Sequence, residues 1–338
     1  MKHKNFYIIG GCCIAMGVFS LAGGLYSGAW ETSLYLDYLG VYDNEYNLDD
    51  TYDTILVETS GIDVVFQSGE RFVIEGNNMD LSAFQIVVSD TTLYLTATVD
   101  LDDWLPFQPD AVITITLPEN AARTISAVVE EGTGTATGVT ASTLTLDLGE
   151  GDITLEDCTL NSCTAQTEDG DLEVQNLNVD GTAILETSEG DIHLDTITTT
   201  RGCRVSSGEG ECLADEMTCG YLELELLAGE ATLTNLTTTE EDAESTLTLD
   251  QGTLTLEAAE LWNVQCTLGT GNAVLEDTQL SGENVFTLSQ GDVIATLRGS
   301  AGDYTTSEDG ETWTGDGETS ILGDFAHATQ NLDVTYTD

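Results

Sequence analysis

Acidic residues recur on both sides of a repeated glycine, and carboxylates at such a spacing could bind a divalent cation. One set precedes the glycine directly and the other follows it; together they are Glu150, Asp152, Asp169, Asp171, Glu189, Asp191, Glu209 and Glu211. Ca²⁺ takes several carboxylate and carbonyl oxygens. Stacked strands would place these like charges about 5 Å apart, so a cation would also relieve their repulsion. The sequence therefore predicts a weak Ca²⁺ edge, with a merely solvated acidic edge as the alternative.

Other residue types with catalytic or ligating chemistry are sparse. The three histidines, His3, His193 and His327, are far apart in the chain. No serine nucleophile elbow, phosphate-binding loop or paired zinc motif occurs. We therefore predict no enzymatic activity, no catalytic residue and no cofactor apart from possible Ca²⁺.

The repeated glycine indicates how these acids are positioned. It occurs ten times at intervals of 19 or 20 residues, with one step of 23: Gly132, Gly151, Gly170, Gly190, Gly210, Gly229, Gly252, Gly271, Gly291 and Gly310. A fixed period of this size is typical of a repeat array. Apolar residues follow the glycine at offsets two and four, as in Ile153 and Leu155, and this alternation predicts a strand with one buried face. The predicted fold is an all-β, single-stack parallel β-solenoid with about 19–20 residues per coil.

Each coil should contain at least two strands with the glycine at the corner between them. The alternation returns before the next glycine, as in Leu144, Leu146 and Leu148, and a third bridge is expected around offsets seven and nine. One coil has no core of its own, so burial must come from stacking. The outward positions six and four before the glycine carry mixed residue types, without the threonine columns that ice binding would require.

The ends of the chain differ from the array. Residues 5–30 are uncharged and predict a transmembrane helix; Lys2 and Lys4 precede them, so residues 1–4 should be cytoplasmic and the bulk of the chain extracellular in a single-pass membrane protein. A signal peptide cleaved near Ala29 and a lipoprotein anchored at Cys12 are the alternatives. We expect a juxtamembrane linker at 31–51, irregular β-coils at 52–131, regular repeats at 132–310 and a capping coil at 311–338.

The chain has eight cysteines, six of them in the array. Cys163, Cys203, Cys212 and Cys266 occupy inward offsets, whereas Cys158 and Cys219 lie near the third bridge. No two occupy equivalent offsets in successive coils, which predicts free, buried thiols. A link from Cys158 to Cys163 is the alternative.

Four segments together resemble a known family. These are ILVETSGIDVVF, the ITITLP strand, the repeated S/T-x-x-G-D motif followed by alternating apolar residues, and GDYTT, in that order from about Tyr52 to Asp338. They are similar to the adhesin-like family of domain of unknown function 4097. The resemblance implies a bacterial surface protein with a parallel β-solenoid, often behind one membrane helix, and it supplies no catalytic residues.

The charge narrows the range of partners. The chain has 61 Asp and Glu against seven Lys and Arg, a net charge of −54. Such a field repels nucleic acid and anionic polymers. We expect a non-catalytic cell-surface module, adhesin-like or envelope-associated, that binds an extracellular protein, a cationic peptide or an envelope component. The alternative is a carbohydrate-active β-helix enzyme acting on an extracellular polysaccharide.

Overall fold

The computed structural model describes residues 43–47, 52–79, 81, 84–97, 111–118, 123–308, 312–315, 319–325 and 332–337. The expected cytoplasmic segment 1–4 and transmembrane helix 5–30 lie outside these residues, as do His3, His327, Cys12 and Gly310. Within the described ranges, no helix combines the length and the apolar character that a membrane crossing requires.

The predicted all-β parallel solenoid is confirmed, and its coils have three sides. The first side ends at the corner glycine, and its strands are Thr124–Glu131, Thr140–Glu150, Thr159–Asp169, Ala183–Glu189, Gly202–Glu209, Tyr221–Thr234, Ser245–Glu257, Val264–Thr270, Glu283–Gln290 and Thr319–Phe325. The second side follows the glycine, with strands Gly134–Thr137, Ile153–Glu156, Leu172–Val179, Ile192–Thr199, Cys212–Cys219, Ala273–Ser281, Val293–Arg298 and Leu332–Thr337. Tyr221–Thr234 and Ser245–Glu257 run through the corner onto the second side.

One continuous apolar core fills the stack. Leu155 pairs with Val174, and Val174 pairs with Leu194, in parallel register. All three are buried, and they belong to a single cluster that extends from Tyr52 to Ile321. The offsets of two and four therefore identified inward positions correctly.

The third side is the bridge that the sequence predicted. Thr159 pairs with Thr140 in the coil below and with Asn178 in the coil above. Short strands Thr237–Thr238 and Glu260–Trp262 belong to this side. A column of non-glycine residues with left-handed backbone separates it from the second side, with φ between +47° and +58°: Asp157, Asn176, Thr196, Glu216, Asn235, Ala258 and Asp277. This second left-handed corner, six residues after the glycine, was not predicted.

The amino-terminal coils stack out of sequence order. The strands here are Asp43–Asn47, Thr54–Thr59, Asp63–Gly69, Val73–Asn77, Phe84–Ser89, Thr92–Ala97 and Val112–Pro118. Thr54–Thr59 lies in parallel between Thr92–Ala97 and Thr124–Glu131. The chain therefore forms the coil that contains Thr54–Thr59 first. It then forms the coil beneath with Thr92–Ala97, and it returns above with Thr124–Glu131. Antiparallel pairing of Phe84–Ser89 with Thr92–Ala97 adds the outer strand.

The carboxyl-terminal end is closed by returning strands. Leu332–Thr337 pairs in parallel with Val293–Arg298, as expected for a closing strand. A 3₁₀ turn at Ala301–Asp303 and the hairpin of Tyr304–Glu308 with Thr312–Gly315 precede it. The rings of Tyr304 and Tyr336 stack with centroids 5.5 Å apart, which covers the end of the core.

Candidate functional site

The repeated S/T-x-x-G-D motif builds the acidic corner through hydrogen bonds between coils. The Thr167 hydroxyl donates to the Gly151 carbonyl at 2.9 Å. The backbone N–H of Asp171 donates to Asp152 Oδ1 at 2.9 Å. The hydroxyl and the carboxylate thus satisfy backbone groups that the corner leaves without ladder partners.

The glycine between them is required by the stacking distance. Gly190 has φ of +146°, and a Cβ at this position would collide with the carbonyl of Gly170 in the coil below. Among the residues the structure describes, nine corner glycines from Gly132 to Gly291 share φ between +126° and +154°. The glycine column therefore holds the carboxylates of successive coils in line.

The eight acids predicted to form a Ca²⁺ edge lie in two columns at this corner. Glu150, Asp169, Glu189 and Glu209 stack in parallel register. In the other column, the N–H groups of Asp171, Asp191 and Glu211 each donate to the preceding carboxylate, at 2.9, 2.8 and 2.7 Å. In each of Asp152, Asp171 and Asp191, one carboxylate oxygen therefore already accepts a backbone hydrogen bond from the next coil.

These hydrogen bonds supply a reason for the acids after the glycine that does not involve a metal. Asn272 occupies the same position in a later coil, and its Oδ1 accepts from the Asp292 N–H at 3.0 Å. A side-chain amide can thus accept the same hydrogen bond between coils as a carboxylate does. No group of three or more His, Cys, Asp or Glu side chains in the described part of the chain is arranged to hold a metal ion. The Ca²⁺ edge stays a prediction.

The six array cysteines are buried and free, as the sequence predicted, and Cys158 and Cys163 form no link. Burial raises the pKa of Cys163, Cys212, Cys219 and Cys266 to about 12. The Cys158 thiol donates to the Ala136 carbonyl at 3.4 Å. These residues act as small core side chains, since a buried thiol with such a pKa is a poor nucleophile.

Two arginines show how the outer faces accommodate a cation. On the first side, Arg204 Nε lies 3.0 Å from Glu186 Oε1, and Arg204 Nη2 lies 4.0 Å from Glu225 Oε2. Arg298 joins Glu260 at 2.8 Å and Asp277 at 3.2 Å. In both cases one guanidinium connects carboxylates that different coils supply.

A depression on the second side combines apolar and acidic residues. It has a volume of about 340 Å³ and includes Leu213, Ala214 and the side chains of Asp195 and Asp215. His193 is exposed and lines the same depression. The sequence analysis did not identify this site, although the outward offsets three and five after the glycine contain its residues.

A threonine column was also missed. Outward residues on the third side stack as Thr140, Thr159, Asn178, Thr198, Thr218 and Thr237. Threonine columns are absent at the positions six and four before the glycine, which lie on the first side. On the third side, such a column is present. Counting eight residues from each corner glycine would have found this column.

Comparison with known proteins identifies the fold family. The model of the family described as Toastrack DUF4097 matches residues 52–211. This stretch is therefore similar to the Toastrack family. The corner of the Toastrack stretch continues beyond it, because Gly229, Gly252, Gly271 and Gly291 repeat the same positive φ. No curated protein matches the chain.

Several solved structures resemble this chain at low sequence identity. A candidate adhesin of Bacteroides fragilis is 15% identical, covers 84% of this chain and 97% of its own, and has a TM-score of 0.38. A candidate cell adhesion protein of Clostridium sporogenes is 9% identical, with coverage of 88% and 100% and a TM-score of 0.29. A candidate adhesin of Parabacteroides distasonis is 12% identical, with coverage of 88% and 97% and a TM-score of 0.31. Similarity at this level does not indicate what this chain binds.

Proposed function

We propose that this chain is a non-catalytic cell-surface module, adhesin-like or envelope-associated, that binds an extracellular protein, a cationic peptide or an envelope component through its outer faces. The observation that carries the proposal is the regular parallel register of successive coils on the second side, from Ile153–Glu156 to Cys212–Cys219. Outward side chains of successive coils, such as Glu173, His193 and Leu213, stand in fixed columns. A flat face with repeated side chains suits an extended partner, which can contact several coils at once.

The charge of the chain favours a basic or neutral partner. With a net charge of −54, the chain attracts cationic ligands over a distance and repels acidic polymers. Carboxylates such as Glu173 and Asp215 are exposed. Salt should weaken this attraction, because exposed charges are screened.

The proposal includes anchoring by the uncharged segment 5–30, with the solenoid outside the cell. Its support is the charge pattern, since Lys2 and Lys4 precede the segment and all 61 acids follow Trp30. Protease added to intact cells should degrade the solenoid and leave an amino-terminal tag protected. Protection of both parts would contradict this orientation.

A paired assay separates binding from catalysis. Beads coated with the purified chain are incubated with extracellular matrix proteins and with cell-envelope fractions, and retention is scored with Ca²⁺ and with a chelator. The same protein is incubated with a panel of extracellular polysaccharides, and new reducing ends are measured. Retention without new reducing ends is expected. New reducing ends would instead support the carbohydrate-active alternative and overturn the proposal.

A further inference from the structure

We propose that the depression on the second side binds an arginine or lysine side chain of a basic peptide. This inference rests on the proposed function, because it names one place where a binding module would hold its partner. The depression spans three strands, Leu172–Val179, Ile192–Thr199 and Cys212–Cys219, together with Thr232 and Thr234 of the next coil. Its position is therefore set by the most regular part of the stack.

The centre of the depression is apolar. Leu213 is an outward-facing leucine that is only partly buried, whereas Leu194 and Ala214, which also line the depression, face the core. Leu213 stacks between His193 and Thr232, so a large apolar side chain interrupts a polar column. The alkyl stem of an arginine or lysine would cover this surface, as such stems do when their charged ends stay in water.

Two carboxylates stand side by side at the edge of the depression. Asp195 and Asp215 are register neighbours in consecutive coils, which places their backbones about 4.8 Å apart. No lysine or arginine in the described ranges forms an ion pair with either carboxylate. The two like charges therefore lie together without a cation from the chain itself.

Neighbouring side chains hold both carboxylates in position. Asp195 accepts from the Gln175 amide at 3.2 Å and from the Thr196 hydroxyl at 2.9 Å. Asp215 Oδ1 accepts from the Asn235 amide at 2.9 Å and from the Glu216 N–H at 3.0 Å. A preoriented carboxylate pair loses less side-chain freedom when a cation arrives than a freely rotating pair would.

The chain contains its own examples of the proposed contact. Arg298 joins Glu260 and Asp277 of consecutive coils, and Arg204 joins Glu186 and Glu225. Asp195 and Asp215 form a carboxylate pair from different coils that no arginine in the described ranges joins. A guanidinium from a partner would join this pair, with its planar donors matched to two carboxylates.

The apolar centre distinguishes a peptide side chain from a hydrated metal ion. A metal would use the carboxylates alone, whereas arginine or lysine would use Leu213 as well. The matched test measures the fluorescence anisotropy of a labelled hexa-arginine peptide at physiological salt, with a hexa-citrulline peptide as the uncharged comparison. Hexa-arginine should bind, and hexa-citrulline should bind at least about tenfold more weakly.

Charge-matched variants separate the depression from the general field of an acidic protein. Asp195→Asn with Asp215→Asn removes two charges here, and Glu240→Gln with Glu241→Gln removes two exposed charges in the loop that precedes Ser245–Glu257, outside the depression. The first pair should weaken hexa-arginine binding about tenfold, and the second by less than about twofold. Equal weakening by both pairs would overturn the proposal.

A second comparison keeps the net charge unchanged. Leu213→Thr removes the apolar centre, and Thr232 shows that threonine fits this column. Leu227→Thr removes an exposed leucine, 53% accessible, on the first side. Only Leu213→Thr should weaken binding; equal affinities for the two variants would contradict the role of the apolar surface. Unchanged urea midpoints would show that the variants are folded, and Leu213→Thr still tests the site if the aspartate variant unfolds.

Failure of this inference differs from failure of the proposed function. If coated beads retain envelope or matrix components and the depression variants behave as the original chain does, the solenoid binds elsewhere and only the site is wrong. If the beads retain nothing and polysaccharides are cleaved, the proposed function is wrong.

Discussion

At the residue scale, the acid after each corner glycine has a structural task that its charge alone does not explain. Asp171 Oδ1 accepts the Asp191 N–H at 2.8 Å, and Asp171 donates its own N–H to Asp152. The accepted hydrogen bond stabilises the corner, whereas the negative charge destabilises it because stacked carboxylates repel each other. Asn272 keeps the acceptor and lacks the charge.

Substitutions at Asp171 should separate the two effects. Asp171→Ala removes the acceptor and should lower the free energy of unfolding by about 1 kcal/mol. Asp171→Asn keeps an acceptor and removes one like charge, so it should leave stability unchanged or raise it by up to about 1 kcal/mol. Urea denaturation at neutral pH measures both. Equal loss in the two variants would show that the charge itself stabilises the corner.

Also at the residue scale, the buried thiols make the stability of the fold depend on pH. Cys163 has a pKa of about 12 in the folded chain against an ordinary value of 9.0, because burial disfavours the thiolate. Below pH 9 the thiol is protonated in both states; above it the unfolded thiol ionises first. Stability should therefore fall as pH rises from 9 to 12, by about 1.4 kcal/mol per pH unit for each such thiol.

A single variant isolates this contribution. Cys163→Ala should lower stability at pH 8 through lost packing, and the difference from the original chain should shrink as pH rises above 9. Alanine already occupies the stacked position 183 in the next coil. Urea midpoints across this range provide the measurement, and parallel pH profiles for the two proteins would contradict the assignment.

At the element scale, each coil is defined by its corners. Gly190 has both a left-handed φ and no space for a Cβ. Gly190→Ala should therefore cost about 2–4 kcal/mol, as backbone strain and a displaced coil combine. Ser188→Ala, an exposed change at the same corner, serves as the control. Loss of a few tenths of a kcal/mol in both would mean that the coil spacing adjusts easily.

The same scale shows what sequence can and cannot predict. The first two sides were predictable because burial of alternate residues leaves a period of two, as in Ile153 and Leu155. The second corner, six residues after the glycine, was not predictable, because residues as different as Asn176, Glu216 and Ala258 adopt its left-handed conformation. Nor does spacing reveal that Thr54–Thr59 pairs with strands that lie both earlier and later in the stack.

The candidate site was predictable only in part. The acidic columns follow directly from the period, and their register was confirmed. The depression at Leu213 required knowledge of which outward side chains are neighbours across coils. A single sequence contains Leu213 but does not rank it above other outward positions.

At the scale of the whole molecule, the acidic columns are concentrated in one part of the stack. The column before the glycine reads Glu131, Glu150, Asp169, Glu189 and Glu209 and then changes to Ala228, Gln251, Thr270 and Gln290. Repulsion between charges should therefore weaken the stack most between Glu131 and Glu209. Salt should raise the melting temperature by screening this repulsion.

Screening and coordination by Ca²⁺ can be told apart at fixed ionic strength. If the edge binds Ca²⁺, the melting temperature should be higher in Ca²⁺ than in chelator with the ionic strength matched by NaCl. Glu189→Gln with Glu209→Gln should abolish that difference, because it removes two stacked ligands. Glu240→Gln with Glu241→Gln removes the same charge elsewhere and should preserve it. Equal melting temperatures in Ca²⁺ and chelator for the original chain would eliminate the Ca²⁺ edge, and the hydrogen bonds would then explain the column after the glycine.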